Sequence, residues 1–420
     1  MSSRGLMNCL NGPAMKLVIT GASGFVGTQL VTLLKNDAHY DLLLVTRYPD
    51  ALRQRFPDEV VCAYEDLSAQ NLTSSVFLHL AVLNNNQNGS DAEFASANVS
   101  HLLETASLAR AGQARKFVNL CSTHALEPMR GDAYSETKRR GALELAAFWP
   151  EGAINLYIPA LYGASYQGRL APLRRLPEPL IQIILASLRQ IKPMVSVNRL
   201  REQLSLIMDQ SNNLDDDNWR TEQYLADPVS SWGLYALIKR IVDLTAALTI
   251  LLFFGWLMLL IVIYIRRDSA GPAIFVQERV GYSGDVFKCY KFRTMAVGTT
   301  EAATHDVGSA VVTSAGGFLR RTKLDELPQI INIFRNEMSL VGPRPCLPLQ
   351  QELTRLRKLR GVLTIKPGIT GLAQINDVDM SDPARLAAWD SRYAAFRTTT
   401  LDIMIAVRTA LGRGKGDRVA

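Results

Sequence analysis

From Ile241 to Ile265 the chain reads IVDLTAALTILLFFGWLMLLIVIYI. No residue after Asp243 in that run is charged. About twenty apolar residues are enough to cross the hydrocarbon of a bilayer as one helix. A helix packed in a soluble core normally keeps a polar stripe, and this one has none. The run therefore predicts a membrane-contacting helix, and it divides the chain into a part before and a part after. Lys239 and Arg240 precede it; Arg266 and Arg267 follow. Basic residues stay on the cytoplasmic side of short flanks. Cations at both ends favour no direction of crossing and predict a helix that enters and returns on one face. Gly255, in FFGWL, permits a bend there without forcing one.

The 420 residues are enough for two ordinary domains. The net charge of +7 suits phosphate-bearing substrates or an anionic membrane face. With no long basic tract and no zinc spacing, nucleic acid is not an expected partner. The five cysteines are scattered and form no CxxC, as in a reducing, cytosolic protein. The first fifteen residues hold no apolar core long enough for a signal peptide, so the N-terminus is expected in the cytoplasm. SNNLDDDNWR, residues 211–220, reads as a polar surface loop. The division that results is 15–227, a membrane-associated segment 235–267, and 268–420.

The first part opens with MKLVITGASGFVGTQLVTLL: an apolar strand, a glycine turn, then a helix. Gly21, Gly24 and Gly27 have the spacing that lets a backbone approach a pyrophosphate at a helix N-terminus. A second apolar strand, YDLLLVT, follows about twenty residues on and ends beside Arg47. An acidic residue there would bind the ribose 2′-OH of NAD(H); a guanidinium suits the 2′-phosphate, which favours NADP(H) over NAD(H). A third strand ends near Asp66, which joins the cofactor set. A fourth covers Ser75 to Ala81, and a fifth ends at Thr123. Tyr134 and Lys138, four apart on a helix, share a face. A lysine there lowers the phenol pKa and lets the tyrosine act as general acid or base.

With TGASGFVG, His79-Leu80-Ala81, Asn98, the trio Thr123–Tyr134–Lys138 and IPALYG (Ile158 to Gly163), residues 15–227 resemble the extended short-chain dehydrogenase/reductases. That family holds sugar-nucleotide epimerases, dehydratases and ketoreductases. The resemblance implies a doubly wound parallel sheet, a nicotinamide cofactor and a catalytic triad of Thr123, Tyr134 and Lys138. Two departures stand out: a short Thr123–Tyr134 loop, and CSTHALEP in place of the usual SSxxVYG.

After the apolar run, GPAIFVQERVGYSGDVFKCYKFRTM alternates glycines, aromatics and cations. Lys291 and Arg293, two apart in an extended segment, share a face and suit phosphate. RRTKLDELPQ follows, with Asp325 and Glu326 side by side. Neighbouring side chains point in different directions, a poor arrangement for a shared metal cage or an ion pair. With KPGITGLAQIN, the stretch FLRRTKLDELPQIINIFRNEMSLVGPRP closely resembles the bacterial sugar transferases, the monotopic phosphoglycosyl transferases. The resemblance covers Tyr235 to about Ala410. It implies a small, mainly helical α/β catalytic domain on the cytoplasmic face of the bacterial inner membrane. It also implies transfer of a sugar-1-phosphate from a UDP-sugar to polyprenol (undecaprenyl) phosphate, with Mg²⁺.

In that family the aspartate of the doublet is the nucleophile. Asp325 is then implied to form a phosphosugar intermediate as UMP leaves, and Glu326 to handle the metal or activate the acceptor. Arg344 in GPRP, and next Arg320 and Arg321, are the implied phosphate clamps. Asp325, Glu326 and Asp390 are the implied metal ligands, the last with Tyr393 from the late motif WDSRY. The resemblance leaves a homodimer open. The fusion implies one pathway: a 4-ketoreductase that finishes a UDP-sugar, such as UDP-N-acetylquinovosamine, and a transferase that loads it on lipid. The alternative is an N-terminal domain that binds nucleotide-sugar without turning it over.

Overall fold

The computed structural model describes residues 14–83, 89–127, 130–163, 168–210, 221–229, 233–298 and 312–412; the loop expected at 211–220 lies outside them. The chain forms two compact units: Met1–Gln182 with Met194–Asp227, and Ile183–Pro193 with Pro228–Ala420.

In the first unit, apolar runs with few polar interruptions become strands buried on both faces. They are β1 (Met15–Thr20), β2 (Tyr40–Thr46), β3 (Val60–Ala63), β4 (Val76–His79), β5 (Lys116–Ser122) and β6 (Ala153–Ile158). A short pair follows, β7 (Ala160–Tyr162) and β8 (Met194–Ser196), and then β9 (Glu222–Tyr224). Six of these and β9 form one parallel sheet in the order β3-β2-β1-β4-β5-β6-β9. Alternate residues feed two cores. Leu17, Ile19, Leu42 and Leu44 face one side; Val18, Leu43, Val45 and Phe77 face the other. The helices are α1 (Phe25–Leu34), α2 (Pro49–Arg55), α3 (Asp91–Ala95), α4 (His101–Ala111), α5 (Ala133–Phe148) and α7 (Val197–Gln210), with α6 (Glu178–Ile191) divided between the two units at Gln182. Strand order reverses between β2 and β4, on either side of β1, which opens a crevice at the carboxyl ends of the strands.

In the second unit, α8 (Leu234–Asp268) is followed by the hairpin β10 (Ile274–Val280) and β11 (Val286–Phe292). Then come α9 (Ser314–Thr322), α10 (Ile330–Phe334), β12 (Ser339–Val341), α11 (Gln351–Leu359), β13 (Gly368–Thr370), α12 (Pro383–Phe396) and α13 (Thr399–Ala410).

The 35-residue α8 contains the whole apolar run without interruption. At 1.5 Å per residue it is about 50 Å long, against roughly 30 Å of bilayer hydrocarbon. The helix runs through Gly255 without a break, since neither proline nor an inserted side chain interrupts the hydrogen-bond ladder there. Its most apolar window is only 11% buried, unlike that of a soluble core helix. One stripe nonetheless touches its own unit from end to end. Tyr235, Asp243 and Ala247 are buried near the start, Ile261 and Ile265 near the finish. Ile261 and Ile265 pack with Phe292, Ala315 and Leu319, and Asp268 accepts the Ala315 N–H at 3.1 Å. Leu252, Phe253, Trp256 and Leu259 stay exposed. With both of its ends packed on one unit, α8 is expected to keep both ends on one side of a bilayer. Cysteines at exposed Leu234 and Ala270, tested one at a time in intact cells, are thus expected to resist an impermeant external reagent and to react after permeabilisation. External labelling of either position rules out this one-sided arrangement. Among the described residues Cys62, Cys121, Cys289 and Cys346 are buried; Cys9, outside them, is replaced by serine for the test.

Candidate functional site

The acidic doublet of the second unit lies between α9 and α10. Thr313 caps α9, its hydroxyl accepting from Gly316 N at 3.0 Å. The helix stops at Lys323, whose φ of +58° lies in the left-handed region. That conformation crowds a lysine Cβ, and such strain is often held at functional positions. The chain then tightens into a 3₁₀ turn, Leu324–Gln329, which carries Asp325 and Glu326 ahead of Pro328. β11 packs against this turn and brings Lys291.

Lys291 Nζ donates to Glu326 Oε1 at 3.1 Å, and Arg344 Nη2 donates to the same oxygen at 2.8 Å. Burial alone would raise the Glu326 carboxyl, but these cations hold it well below the usual carboxylate range. Asp325 moves the other way. Burial first, and then the charge of Glu326, push it up to about 6, against the pull of Lys291, Arg344 and Arg320. Two adjacent carboxyls are thereby driven apart in acidity. One is a permanently ionised partner of two cations; the other titrates near neutrality. Such a split assigns similar groups to different tasks.

The other expected residues divide. Arg320 acts on Asp325 and is held by a bond from its Nε to Thr294 Oγ1 at 3.0 Å. Arg321 lies on the exposed face of α9. Arg293 does not join Lys291. Its guanidinium donates to Ala270 O at 2.8 Å and Ser269 O at 2.7 Å, at the end of α8. β11 ends at Phe292, so the alternation that would aim both cations one way stops short of Arg293. Asp390 is likewise corrected as a metal ligand. Arg357 Nε and Nη2 both donate to Asp390 Oδ2, at 2.9 and 2.7 Å. Both side chains are 3% exposed, and a carboxylate buried so deeply needs a partner of that kind. Among the described residues no cluster of three or more metal-ligating side chains occurs. Mg²⁺ is commonly held by one or two carboxylates plus substrate phosphates. The donor set at the doublet, Asp325 with the second oxygen of Glu326, fits that description.

Sequence reading missed a polar seat at the foot of α8. Lys239 Nζ donates to Asp402 Oδ2 at 2.8 Å and to Val341 O at 2.9 Å. Tyr235 and Tyr393 donate to the two Asp402 oxygens at 2.8 and 2.7 Å, so Tyr393 is engaged here and not at the doublet. Asp243 accepts from Ser339 Oγ at 2.9 Å and Leu340 N at 2.8 Å. β12 is thus bolted to α8, and three residues beyond it lies Arg344. The available signal was Asp243, a lone carboxylate in an apolar helix.

In the first unit, the glycine turn lies at the crevice. Gly21 has φ +72°, and a Cβ on it would fall 2.6 Å from Ala81 N. A Cβ on Gly27 would fall 2.5 Å from Gly21 O. Gly24 meets nothing nearer than 3.3 Å, which leaves its backbone open to a ligand. Arg47 lies exposed just past β2, and its charge reaches Tyr64 and His101. Asp66 is exposed past β3. An open glycine backbone with a cation at the β2 end fits a phosphorylated dinucleotide.

The Tyr134–Lys138 relation differs from expectation. Lys138 is buried and donates from Nζ to Leu120 O at 3.2 Å. Burial pushes the Tyr134 phenol up; the relief comes from the Ser122 hydroxyl, not from the Lys138 ammonium. The strand predicted to end at Thr123 ends at Ser122, and Thr123 opens a 3₁₀ turn. Ser122, one residue from the expected partner, closes the strand, and its hydroxyl accepts from His124 N at 3.2 Å.

Residues 234–414 match the bacterial sugar transferases, and residues 17–202 the NAD dependent epimerase/dehydratase family. The chain is 36% identical over 198 residues to an undecaprenyl-phosphate glucose phosphotransferase of Komagataeibacter xylinus, covering 42% of this chain and 36% of that one. It is 35% identical over 190 residues to the exopolysaccharide production protein ExoY of Rhizobium meliloti, covering 41% of this chain and 84% of ExoY. It spans about a third of the length of the first curated relatives it matches. Among solved structures, a UDP-glucuronic acid 4-epimerase from Bacillus cereus in complex with NAD is similar over 50% of this chain and 77% of that one, at 14% identity and a TM-score of 0.39.

Proposed function

The chain belongs to the bacterial sugar transferase family, and on that premise we propose that it moves a sugar-1-phosphate from a UDP-sugar to polyprenol phosphate, releasing UMP. The observation that carries this reading is the acidic doublet among cations: Lys291 and Arg344 both donate to Glu326 Oε1, leaving Asp325 beside them. In the first half-reaction an ionised Asp325 oxygen bonds to the sugar-bearing phosphorus, and the bond from that phosphorus to UMP breaks. In the second, an oxygen of the acceptor phosphate takes the phosphorus and Asp325 is released. A carboxylate nucleophile divides one displacement into two. Arg344, Lys291 and Arg320 offset the repulsion between it and an anionic substrate. Mg²⁺, when bound by the doublet and substrate phosphates, supplies further charge neutralisation.

Only ionised Asp325 attacks. A carboxyl near 6 loses its active form as pH falls, so initial UMP release should drop about tenfold per unit well below pH 6. Release of UMP across a panel of UDP-sugars, with and without polyprenol phosphate, tests the reaction. Absence of release from every sugar overturns it; a pH profile flat from 7 to 4.5 overturns the role of Asp325.

For the first unit we propose NADPH-dependent reduction of a sugar-nucleotide ketone. The cofactor supplies the hydride; Tyr134, kept protonated by burial, gives its proton to the carbonyl oxygen. Ser122 and Thr123 stand at the strand end beside it. A second reading has support of its own. Lys138 Nζ donates to Leu120 O in this structure, an arrangement that also suits a domain that binds nucleotide-sugar without turnover.

A further inference from the structure

At the foot of α8 a cavity of about 120 Å³ opens between that helix, β12 and α13. Ile238, Val242, Leu340, Ile403, Ala406 and Val407 line it. The charged groups at its base satisfy one another: Lys239 and Tyr393 both bind Asp402, and Asp243 binds Leu340 N; the Thr399 hydroxyl in the wall has no hydrogen-bond partner. The wall is mostly apolar and carries no uncompensated charge, which favours an apolar occupant over an ion. Its rim stands open, since Val242, Ile403 and Val407 are each more than a third exposed. That rim is continuous with the exposed apolar flank of α8, the surface a bilayer covers. Leu340 and Val341, which line the slot, lead directly to Arg344. Three Cα steps of 3.8 Å put Val341 within about 11 Å of Arg344, which is bonded to Glu326.

We propose that this slot seats the first part of the hydrocarbon chain of the polyprenol phosphate acceptor, with its phosphate toward Arg344. The proposal rests on the transferase reading and assigns its lipid subsite. A slot open beside the apolar flank of α8 and within about 11 Å of Arg344 along the chain suits an amphiphile whose head reacts while its tail stays in lipid. An ordinary phospholipid acyl chain has no need of the path to Arg344.

Ala406→Phe fills the slot from α13, and Ala410→Phe, on an exposed turn of the same helix, is its control. Both are measured as full-length protein in detergent micelles, with adduct formation from UDP-sugar alone followed separately from transfer to undecaprenyl phosphate and to geranyl phosphate. Ala406→Phe should raise the KM for undecaprenyl phosphate about tenfold and flatten the preference for it over geranyl phosphate, with adduct formation unchanged. Ala410→Phe should change neither. The milder Ala406→Val should fall between. Wild-type KM and chain-length preference in Ala406→Phe overturn the proposal. So does a parallel loss of adduct formation, which marks a packing defect. So does weakened binding to phosphatidylglycerol vesicles with an unchanged acceptor KM, which marks a membrane anchor. Failure of the unsubstituted protein to form any adduct is a separate result, and defeats the transferase reading itself.

Discussion

Asp325→Asn should abolish the phosphosugar adduct and cut transferase turnover by about 10³-fold or more, yet make the protein more resistant to unfolding above pH 6. The first effect follows from the loss of the attacking oxygen's charge. The second follows from linkage. The folded-state pKa of Asp325 is raised from 3.8 to about 6. Its neutral form therefore favours the fold, fully so below the unfolded value, and that contribution is lost as pH rises through 6. At neutral pH the buried charge costs roughly 3 kcal/mol, two units at about 1.4 each, as an upper figure. Asparagine cannot ionise and removes that cost. Mass spectrometry of the peptide spanning residue 325, after incubation with UDP-sugar and Mg²⁺, reads the first effect. Thermal melting of the full chain in detergent at pH 5 and 8 reads the second, with the gain confined to pH 8. Normal UMP release by the substituted protein eliminates Asp325 as nucleophile. Stabilisation equal at both pH values eliminates its raised pKa.

Tyr134→Phe should lower NADPH oxidation with a UDP-4-keto sugar by about 10² to 10⁴, while transfer from a finished UDP-sugar continues. The phenol is held protonated by burial, so phenylalanine keeps the shape and loses only the proton. Arg47→Ala should weaken NADPH binding more than NADH binding, because only the former carries the 2′-phosphate. Titration of the full chain with each cofactor is the first measurement. If neither binds at millimolar concentration, the reductase reading fails and the non-catalytic binding module replaces it.

Some of this architecture is legible from short stretches alone. MKLVIT and YDLLLVT become β1 and β2 because runs of apolar, largely branched residues bounded by turns leave few other low-energy conformations. The Gly21-Gly24-Gly27 spacing marks a close backbone turn because a Cβ at the first or last position would collide with backbone. The uncharged run after Asp243 becomes a continuous helix, since an unsatisfied peptide group in lipid is prohibitively costly. In each case steric fit, backbone hydrogen bonding or solvent decides within a few residues.

The destination of a polar side chain is another matter. Lys291 and Arg293 look equivalent in KCYKFRTM, yet one reaches Glu326 and the other the end of α8, according to where β11 stops. Asp390 pairs with Arg357 on another helix, and Lys239 with Asp402, 163 residues away. The acidity of Asp325 and Glu326 depends on Arg344, which only the packed second unit brings alongside. The sequence by itself determined the strands, the membrane helix and the family doublet, because local sterics and apolar burial act on neighbouring residues. The tertiary structure alone decided which charges meet, because Coulomb and desolvation energies depend on distances in space that chain spacing does not encode.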